Sequence, residues 1–313
     1  MKKLKYYAAV ACMCPVLVSC GGHGSTNSSV ADETKDTLIF AAVPAETSQT
    51  LKSSYENLAK LIEQETQVHV EFQDATDYAA VIEGQRAGKI DIASYGPFSY
   101  VLAKDSGVPI EPIAAPTNDE AQAPAYTSLA YVKQDSPISS LKDLKGKKVC
   151  LVDPSSTSGY LVPMKGFMDS GIDMLNDVEP IITGGHDASL LALKGGDCDA
   201  AFAHDAMLTT LTKTGQIKEG EVKSIWESDP ITEDPIAINT ESVPAELVAK
   251  IRTAIREKAN KPALVAAGIC SSVERCVLPE EIEWGYKEIS DADFDTIRSI
   301  CATTKAQACA AIS

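Results

Sequence analysis

Three hydroxyl residues in a row, Ser156, Thr157 and Ser158, come directly before a glycine in the stretch DPSSTSGYLVP. A short apolar segment typical of a strand, KKVCLV, precedes them, and a helix-like segment follows. The first turn of a helix carries unpaired backbone N–H groups and the positive end of the helix dipole. Because hydroxyl groups add further donors there, the pattern predicts a site for a tetrahedral oxyanion.

The same stretch permits two other interpretations. In the first, Ser158 is only the N-cap of the helix that follows, a role that needs one hydroxyl and not three. In the second, one serine is a catalytic nucleophile, which requires a base within hydrogen-bond reach. The stretch contains neither a GxSxG elbow nor an SxxK pair, so the sequence favours anion binding over catalysis.

Strand-like and helix-like segments alternate along most of the chain. Residues 68–72, VHVEF, alternate apolar and polar side chains as a strand does, whereas residues 46–65 carry apolar side chains at helical spacing. Regular alternation of this kind predicts an α/β fold with a mostly parallel sheet and helices on both faces. The apolar stripe of the first helix consists of Leu51, Tyr55, Leu58, Leu61 and Ile62.

Two strand-like segments, TSLAYVKQ and PIAINT, are interpreted as crossings between two lobes. A polar, proline-containing segment (117–126) comes directly before the first of them. We therefore predict two α/β lobes with a ligand cleft between them. Residues 37–126 would form the first part of lobe 1, 127–234 lobe 2, and 235–313 the return to lobe 1 with the C-terminal helices.

Several spaced stretches resemble the phosphonate- and phosphite-binding proteins of ABC transporters. In chain order they are AAVPAET, DYAAVIEGQRAGKIDIASYGPFSYVLA, DPSSTSGYLVP, GGHDASLLALKGGDCDAAF and WESDPITEDPIAI, within roughly residues 37–240. The resemblance implies a type II periplasmic-binding-protein fold whose two lobes close on a phosphorus oxyanion. The chain from residue 262 onward matches the family less well, so no residue role is carried over there.

The family's ligand-binding positions can be carried over one by one. The resemblance implies that the Ser156–Thr157–Ser158 turn binds the oxyanion and that His186, after a glycine pair, donates to it. The alternative for His186 is a surface histidine that caps its own helix. The family's cleft tyrosines match Tyr78, Tyr95 and, more loosely, Tyr126; core packing is the alternative for the first two.

Two acidic residues complete the predicted site. The resemblance assigns Asp234 to the cleft, where a carboxylate beside an anion is repulsive unless a proton or a cation lies between them. A protonated P–OH group or a ligand ammonium would remove that repulsion; a simple turn aspartate before proline is the alternative. Asp205 lies one residue from the position where aminoalkyl-phosphonate binders carry an acid, and its alternative role is a helix N-cap.

The N-terminus has the pattern of an export signal. Lysines at the start are followed by an apolar run too short to span a bilayer, and Leu17-Val18-Ser19-Cys20 resembles the lipobox of bacterial lipoproteins. We therefore expect a signal peptide over residues 1–20, a lipid on Cys20 and a flexible tether over residues 21–36. The alternative is an ordinary secretory signal cut nearby. Lipidation would hold the protein on the extracytoplasmic face of the cell membrane.

Six cysteines remain after Cys20, an even number that suggests disulfides in an exported chain. Cys150 and Cys198 fall in strand-like segments of one predicted sheet, so we expect them to be joined. The near pairs Cys270/Cys276 and Cys301/Cys309 are the natural partners for the rest, although cross-pairing stays open. No cysteine or histidine cluster has zinc spacing, so neither a metal nor a cofactor is expected.

Charge narrows the function further. The chain has 28 basic and 44 acidic residues; three of those lysines leave with residues 1–19, so the rest carries 25 − 44 = −19. Nucleic acid is therefore a poor partner. We predict a monomeric solute-binding protein, not an enzyme, that delivers phosphonate, phosphite or phosphate to an ABC permease. A secreted phosphate-ester enzyme and an anion-sensing lipoprotein are the alternatives.

Overall fold

The structure is a computed structural model that describes residues 35–311. The predicted signal peptide, the lipidation at Cys20 and most of the predicted tether lie outside the described residues. Between residues 35 and 311, no helix has both the length and the apolar composition needed to cross a membrane.

Strands and helices alternate over the described residues. The strands are β1 (Thr37–Ala42), β2 (His69–Phe72), β3 (Ile92–Ser94), β4 (Ile110–Thr117), β5 (Ala125–Tyr126), β6 (Ser128–Lys133), β7 (Lys148–Leu151), β8 (Glu179–Ile182), β9 (Ala200–His204), β10 (Val222–Glu227), β11 (Ile231–Thr232), β12 (Ile236–Asn239) and β13 (Gly285–Glu288). The α-helices are α1 (Ser48–Thr66), α2 (Tyr78–Arg86), α3 (Pro97–Asp105), α4 (Val162–Asp169), α5 (His186–Gly195), α6 (Met207–Lys213), α7 (Ala245–Lys258), α8 (Lys261–Ala266) and α9 (Asp295–Thr304). Short 3₁₀ helices lie at Leu141–Leu144, Pro279–Glu281, Asp291–Phe294 and Gln307–Ala311.

Lobe 1 is built on a sheet with the strand order β13-β4-β12-β3-β1-β2. Strands β2, β1 and β3 pair in parallel, whereas β12 is antiparallel to both β3 and β4, and β13 is antiparallel to β4. The sheet is therefore mixed and not mostly parallel as predicted. The physical reason is that β12 returns from the other lobe and enters between two strands that run the opposite way.

Lobe 2 has a second mixed sheet, in the order β10-β6-β9-β7-β8. Strands β9, β7 and β8 pair in parallel, while β6 is antiparallel to β9 and β10. The predicted crossing points at 126/127 and 234/235 lie beside a small antiparallel ribbon of β5 and β11. The two-lobed α/β fold is thus confirmed, and the exact lobe boundaries stay a prediction.

The first helix shows how the apolar pattern dictates the packing. The stripe predicted from the sequence is the buried face of α1, and all five of its residues belong to one hydrophobic cluster with α7 and one face of the lobe 1 sheet. Leu58, Leu61 and Ile62 are fully buried, while the opposite face of the helix is exposed. Burial of the apolar stripe therefore fixes the rotation of α1 on the sheet.

The C-terminal helices do not all pack on lobe 1, as the sequence had suggested. Helix α7 packs on α1, β4 and β13, but α9 contacts both α3 of lobe 1 and α4 of lobe 2. Phe294, just before α9, packs on Tyr100 of α3 with ring centroids 4.6 Å apart. Because α9 packs on a helix of each lobe, it bridges the lobes and does not belong to one.

The three expected disulfides are present. Cys150 in β7 joins Cys198, two residues before β9, with a Cα–Cα distance of 5.8 Å. The other bridges are Cys270–Cys276 and Cys301–Cys309. The pairing of Cys150 with Cys198 and the two short-range pairings are confirmed. The first bridge fastens the parallel pair β7 and β9, whose C-terminal ends carry candidate site residues.

Candidate ligand-binding site

A small cavity lies where the C-terminal ends of strands from both lobes meet. The centre of a water molecule can occupy about 10 Å³ of it, which is room for about one water. The residues that line it come from both lobes. They are Ala45, Tyr78, Gly96, Tyr126, Ser156, Thr157, Ser158, His186, His204 and Asp234.

Four helix starts meet at this cavity. Tyr78 is the first residue of α2, Gly96 is the N-cap of α3, Thr157 opens the π-type turn that leads into α4, and His186 is the first residue of α5. Each start directs the positive end of a helix dipole at the cavity, although some of the first-turn N–H groups, such as those of Phe98 and His186, are already paired. None of the residues that line the cavity is a lysine or an arginine. Neutral donors therefore provide the positive potential.

The three hydroxyl residues, called the hydroxyl turn, form the start of a π-type helical turn that begins at Thr157 and leads into α4. The Ser156 hydroxyl accepts a hydrogen bond from the Gly159 backbone N–H at 3.2 Å, so Ser156 is the N-cap. The interpretation of Ser158 as the N-cap was therefore wrong, because the helical backbone starts earlier, at Thr157. Gly159 has no space for a side chain: a Cβ there would lie 2.3 Å from Val152 Cγ2. The glycine lets the turn pack against the end of β7.

Thr157 reaches across the cleft. Its Oγ1 accepts a hydrogen bond of 2.8 Å from the backbone N–H of Phe98, in the first turn of α3. Ser158 is fixed within lobe 2, where its carbonyl accepts a hydrogen bond from the Ser128 hydroxyl at 2.6 Å. The hydroxyl turn is thus held from β6 on one side and contacts a helix start of the opposite lobe on the other.

A second direct contact between the lobes lies beside His186. The His186 backbone N–H donates to the Ala45 carbonyl at 2.8 Å, from the start of α5 to the loop after β1. Gly184, with φ +88°, makes the left-handed turn that sets up this approach. Near the same point, the Asp187 carboxylate accepts a hydrogen bond from the Thr47 backbone N–H. The lobes are therefore in contact around the cavity.

Two buried histidines form one wall. The His204 backbone N–H donates to His186 Nδ1 at 3.2 Å, and the two rings are roughly perpendicular with centroids 4.8 Å apart. Burial and the nearby His204 hold the pKa of His186 well below its usual range, and burial lowers the pKa of His204 to about 4. Both rings are therefore neutral at neutral pH.

Most of the predicted site residues line the cavity, but two of them, Tyr95 and Asp205, do not. The three hydroxyl residues, His186, Tyr78, Tyr126 and Asp234 all line the cavity. Tyr95 does not: it is fully buried, and its hydroxyl donates to the Val81 carbonyl at 3.4 Å. Asp205 does not either, because its carboxylate accepts from Thr127 N and Oγ1 at 3.0 and 3.2 Å. Tyr95 therefore packs in the core, and the Asp205 carboxylate is hydrogen-bonded to Thr127 at the start of the crossing segment. Neither residue has the position expected of a ligand-binding side chain.

Sequence reasoning missed His204, the residue directly before Asp205. His204 ends β9, and its neighbours in the cavity follow β1, β3, β7 and β8. Ligands in open α/β sheets gather at the C-terminal ends of the strands. A polar residue at the end of CDAAFAH was the signal that could have identified it. The binding role of every residue in this cavity stays a prediction.

Comparisons with known proteins agree with this architecture. The family described as "ABC transporter, phosphonate, periplasmic substrate-binding protein" matches residues 40–271. The "Phosphate-import protein PhnD" of Mycolicibacterium smegmatis is 39% identical, covering 97% of each chain. The "Phosphonates-binding periplasmic protein" of Escherichia coli is 33% identical over 66% of this chain and 62% of its own. A binding protein of an ABC phosphonate transporter from Pseudomonas aeruginosa superposes with a TM-score of 0.76 at 27% identity, covering 87% of both chains.

An acidic residue at the lobe contact has an unusual environment. Glu46, half-buried in the loop after β1, has its pKa raised to about 7 by burial, then by the charges of Asp187 and Glu281. Burial also raises the pKa of Asp187, which lies on the opposite lobe. Because the folded pKa of Glu46 lies above its ordinary value, ionising it costs stability. That cost grows as pH rises from about 4.5 to about 7 and is complete above.

Glu46→Gln should therefore stabilise the protein at high pH and not at low pH. We expect the melting temperature at pH 8.5 to rise by roughly 2–4 °C, the effect of about 1 kcal/mol in a protein of similar size. At pH 4.5 the wild-type carboxyl is already protonated, so the two proteins should melt together. Thermal unfolding at both pH values measures this, with Glu219→Gln at an exposed turn as the control. An equal gain at both pH values would contradict the assignment to Glu46 ionisation.

Proposed function

This chain belongs to the family of periplasmic phosphonate substrate-binding proteins of ABC transporters, and from that membership we propose that it binds one phosphorus oxyanion between its lobes. The ligand is a phosphonate, phosphite or phosphate ion, which the protein delivers to a membrane permease. The family and the relatives named above are substrate-binding transport proteins and not enzymes. The phosphate-ester enzyme considered from the sequence therefore has no support among them.

The observation that carries this proposal is the hydroxyl turn at the meeting point of four helix starts. Ser156, Thr157 and Ser158 are all buried and all line the cavity. A buried anion must be compensated by donors, and backbone N–H groups with hydroxyls supply them in several directions at once. A tetrahedral ion with several oxygens matches this distribution of donors better than a planar carboxylate does.

Closure of the lobes completes the site in this proposal. The hydroxyl turn and the histidines belong to lobe 2, whereas Tyr78, Gly96 and Ala45 belong to lobe 1. A ligand that contacts both sets is bound fully only when the lobes are together, so it favours the closed state. The cavity has room for about one water, so a phosphorus oxyanion must enter while the lobes are apart.

Asp234 supplies the selectivity for a protonated ligand. It lines the cavity one residue before Pro235, and its backbone N–H is held by the Glu233 carboxylate at 3.0 Å. A carboxylate accepts a hydrogen bond from P–OH, while a fully ionised oxyanion such as sulfate would leave it facing another negative charge. The second ionisation of phosphorus oxyanions lies close to neutral pH, so part of each ion still carries a proton there, whereas sulfate is fully ionised.

A lipid anchor would keep the protein beside its permease. The lipobox-like Leu17-Val18-Ser19-Cys20 and the polar segment after it support this part of the proposal. We expect the mature wild-type chain to begin at Cys20 with a lipid and to fractionate with membranes. Cys20→Ser should release it into the soluble extracytoplasmic fraction, as intact mass and fractionation would detect. A wild-type chain with an unmodified N-terminus would exclude the anchor.

Thr157→Ala should weaken binding of the whole ligand class. Loss of one hydrogen bond to a charged group costs roughly 1–3 kcal/mol, so calorimetry with phosphate, phosphite and methylphosphonate should show weaker binding of whichever of them the wild type binds. Ser155→Ala is the matched control, because Ser155 belongs to the same turn but does not line the cavity. Equal dissociation constants for wild type and Thr157→Ala would reduce the hydroxyl turn to a structural cap.

Asp234→Asn should separate protonated from fully ionised ligands. The variant loses a charge-assisted hydrogen bond, worth about 1.5–3 kcal/mol, to the P–OH group, but sulfate should gain relative to phosphite. Wild-type affinity for phosphite should fall as pH rises through the second ionisation of the ligand, and the fall should be smaller in the variant. Parallel losses for phosphite and sulfate, with the same pH profile in both proteins, would mean that Asp234 is only a turn residue.

A further inference from the structure

His204 lines the cavity and has a buried ring nitrogen without a hydrogen-bond partner among the described residues. The residue ends β9, its side chain is nearly fully buried at 4% exposure, and it lines the cavity. Among residues 35–311, its Nε2 has no hydrogen-bond partner. Buried polar atoms are nearly always paired, and one that is not costs the protein stability. An unpaired nitrogen at the wall of a binding cavity is therefore evidence for a partner on the ligand.

The neighbouring groups restrict what that partner can be. His186 Nδ1 is occupied by the His204 backbone N–H, and the two rings meet edge to face. The His204 ring is neutral at neutral pH, so its Nε2 makes one hydrogen bond, as a donor or as an acceptor according to the tautomer. An oxygen satisfies either form, donating from P–OH or accepting on P–O⁻. A hydrogen or a methyl group on phosphorus satisfies neither.

Other contacts place the remaining substituents of the ion. Thr157 Oγ1 and Asp234 Oδ1 lie 3.1 and 3.9 Å from the position of a Cβ on Gly96, so these groups form one corner of the cavity. His186, His204 and Ala45 form another, fastened by the bond from His186 N–H to the Ala45 carbonyl. An ion whose protonated oxygen meets Asp234 directs a different substituent towards the histidines. The cavity is too small for that substituent to be long.

We propose that His204 recognises the fourth substituent of the bound phosphorus and requires it to be an oxygen, so that the ligand of this chain is inorganic phosphate. This inference rests on the proposed function of the same cavity and sharpens it. Phosphite and methylphosphonate have only three oxygens, so with Asp234, the hydroxyl turn and His186 each taking one of them, hydrogen or methyl is left for His204 and Nε2 stays unpaired. Sulfate has four oxygens but no proton for Asp234. Phosphate alone of these ions meets both requirements.

The test is a comparison of phosphate with methylphosphonate in three proteins. By calorimetry on ligand-free protein, wild type should bind phosphate more tightly by roughly 5- to 100-fold, the factor for one unpaired buried polar group. In His204→Phe, phosphate binding should weaken by a similar factor while methylphosphonate binding is kept, so the preference disappears. His69→Phe, the same substitution at an exposed histidine paired with Glu63, should keep the wild-type preference.

Each other outcome has a distinct meaning. If wild type binds methylphosphonate as tightly as phosphate, or if His204→Phe weakens both ligands equally, the proposal is overturned while phosphorus-oxyanion binding stands. If wild type binds none of these ions, the proposed function itself fails.

A spectroscopic measurement on wild type covers the case in which the variant does not fold. In the ¹⁵N spectrum of the imidazole groups, the His204 Nε2 resonance should shift with phosphate and stay in place with saturating methylphosphonate. The same shift with both ligands would overturn the role of His204.

Discussion

An anion taken out of water has to be surrounded by donors, and at the proposed site of this chain the donors carry no formal charge. Four helix starts and a run of hydroxyls meet at one cavity, and no lysine or arginine lines it. Most other features of the fold serve that convergence. The parallel strands β1 to β3 and β7 to β9 end at the cleft, so the helices that follow them begin there.

The convergence depends on two sheets whose strand ends meet at one cavity. The lobe 1 sheet is completed by β12, which arrives from lobe 2, and the paired β5 and β11 mark the two crossings. The two lobes meet in a few direct contacts, such as the bond between Phe98 N–H and Thr157 Oγ1. Under the proposed function, a bound ligand would compete with these contacts for the same groups.

Features governed by local pattern could be predicted, and features governed by tertiary contacts could not. The stripe of α1 and the Cys150–Cys198 bridge follow from apolar period and strand adjacency. The mixed sheets and the bridging position of α9 depend on where a returning segment is inserted, which no local pattern encodes. At the site, Tyr95 was misjudged because a tyrosine at a strand end suits a cleft and a core equally well. His204 was not predicted because Asp205, the residue beside it, carries the acidic side chain that the resembled family has near this strand end.

Because the donors that line the cavity are neutral, dissolved salt should affect ligand binding differently from its effect on a site lined by cationic side chains. In a site lined by lysine or arginine, dissolved salt screens the attraction and weakens capture. Here the chain beyond residue 19 has 25 basic and 44 acidic residues, so its overall field repels an approaching anion. Salt screens that repulsion, whereas hydrogen bonds inside a buried cavity are screened far less. We therefore expect the association rate of an anionic ligand to rise with salt concentration, which is the reverse of the dependence expected for a site lined by lysine or arginine.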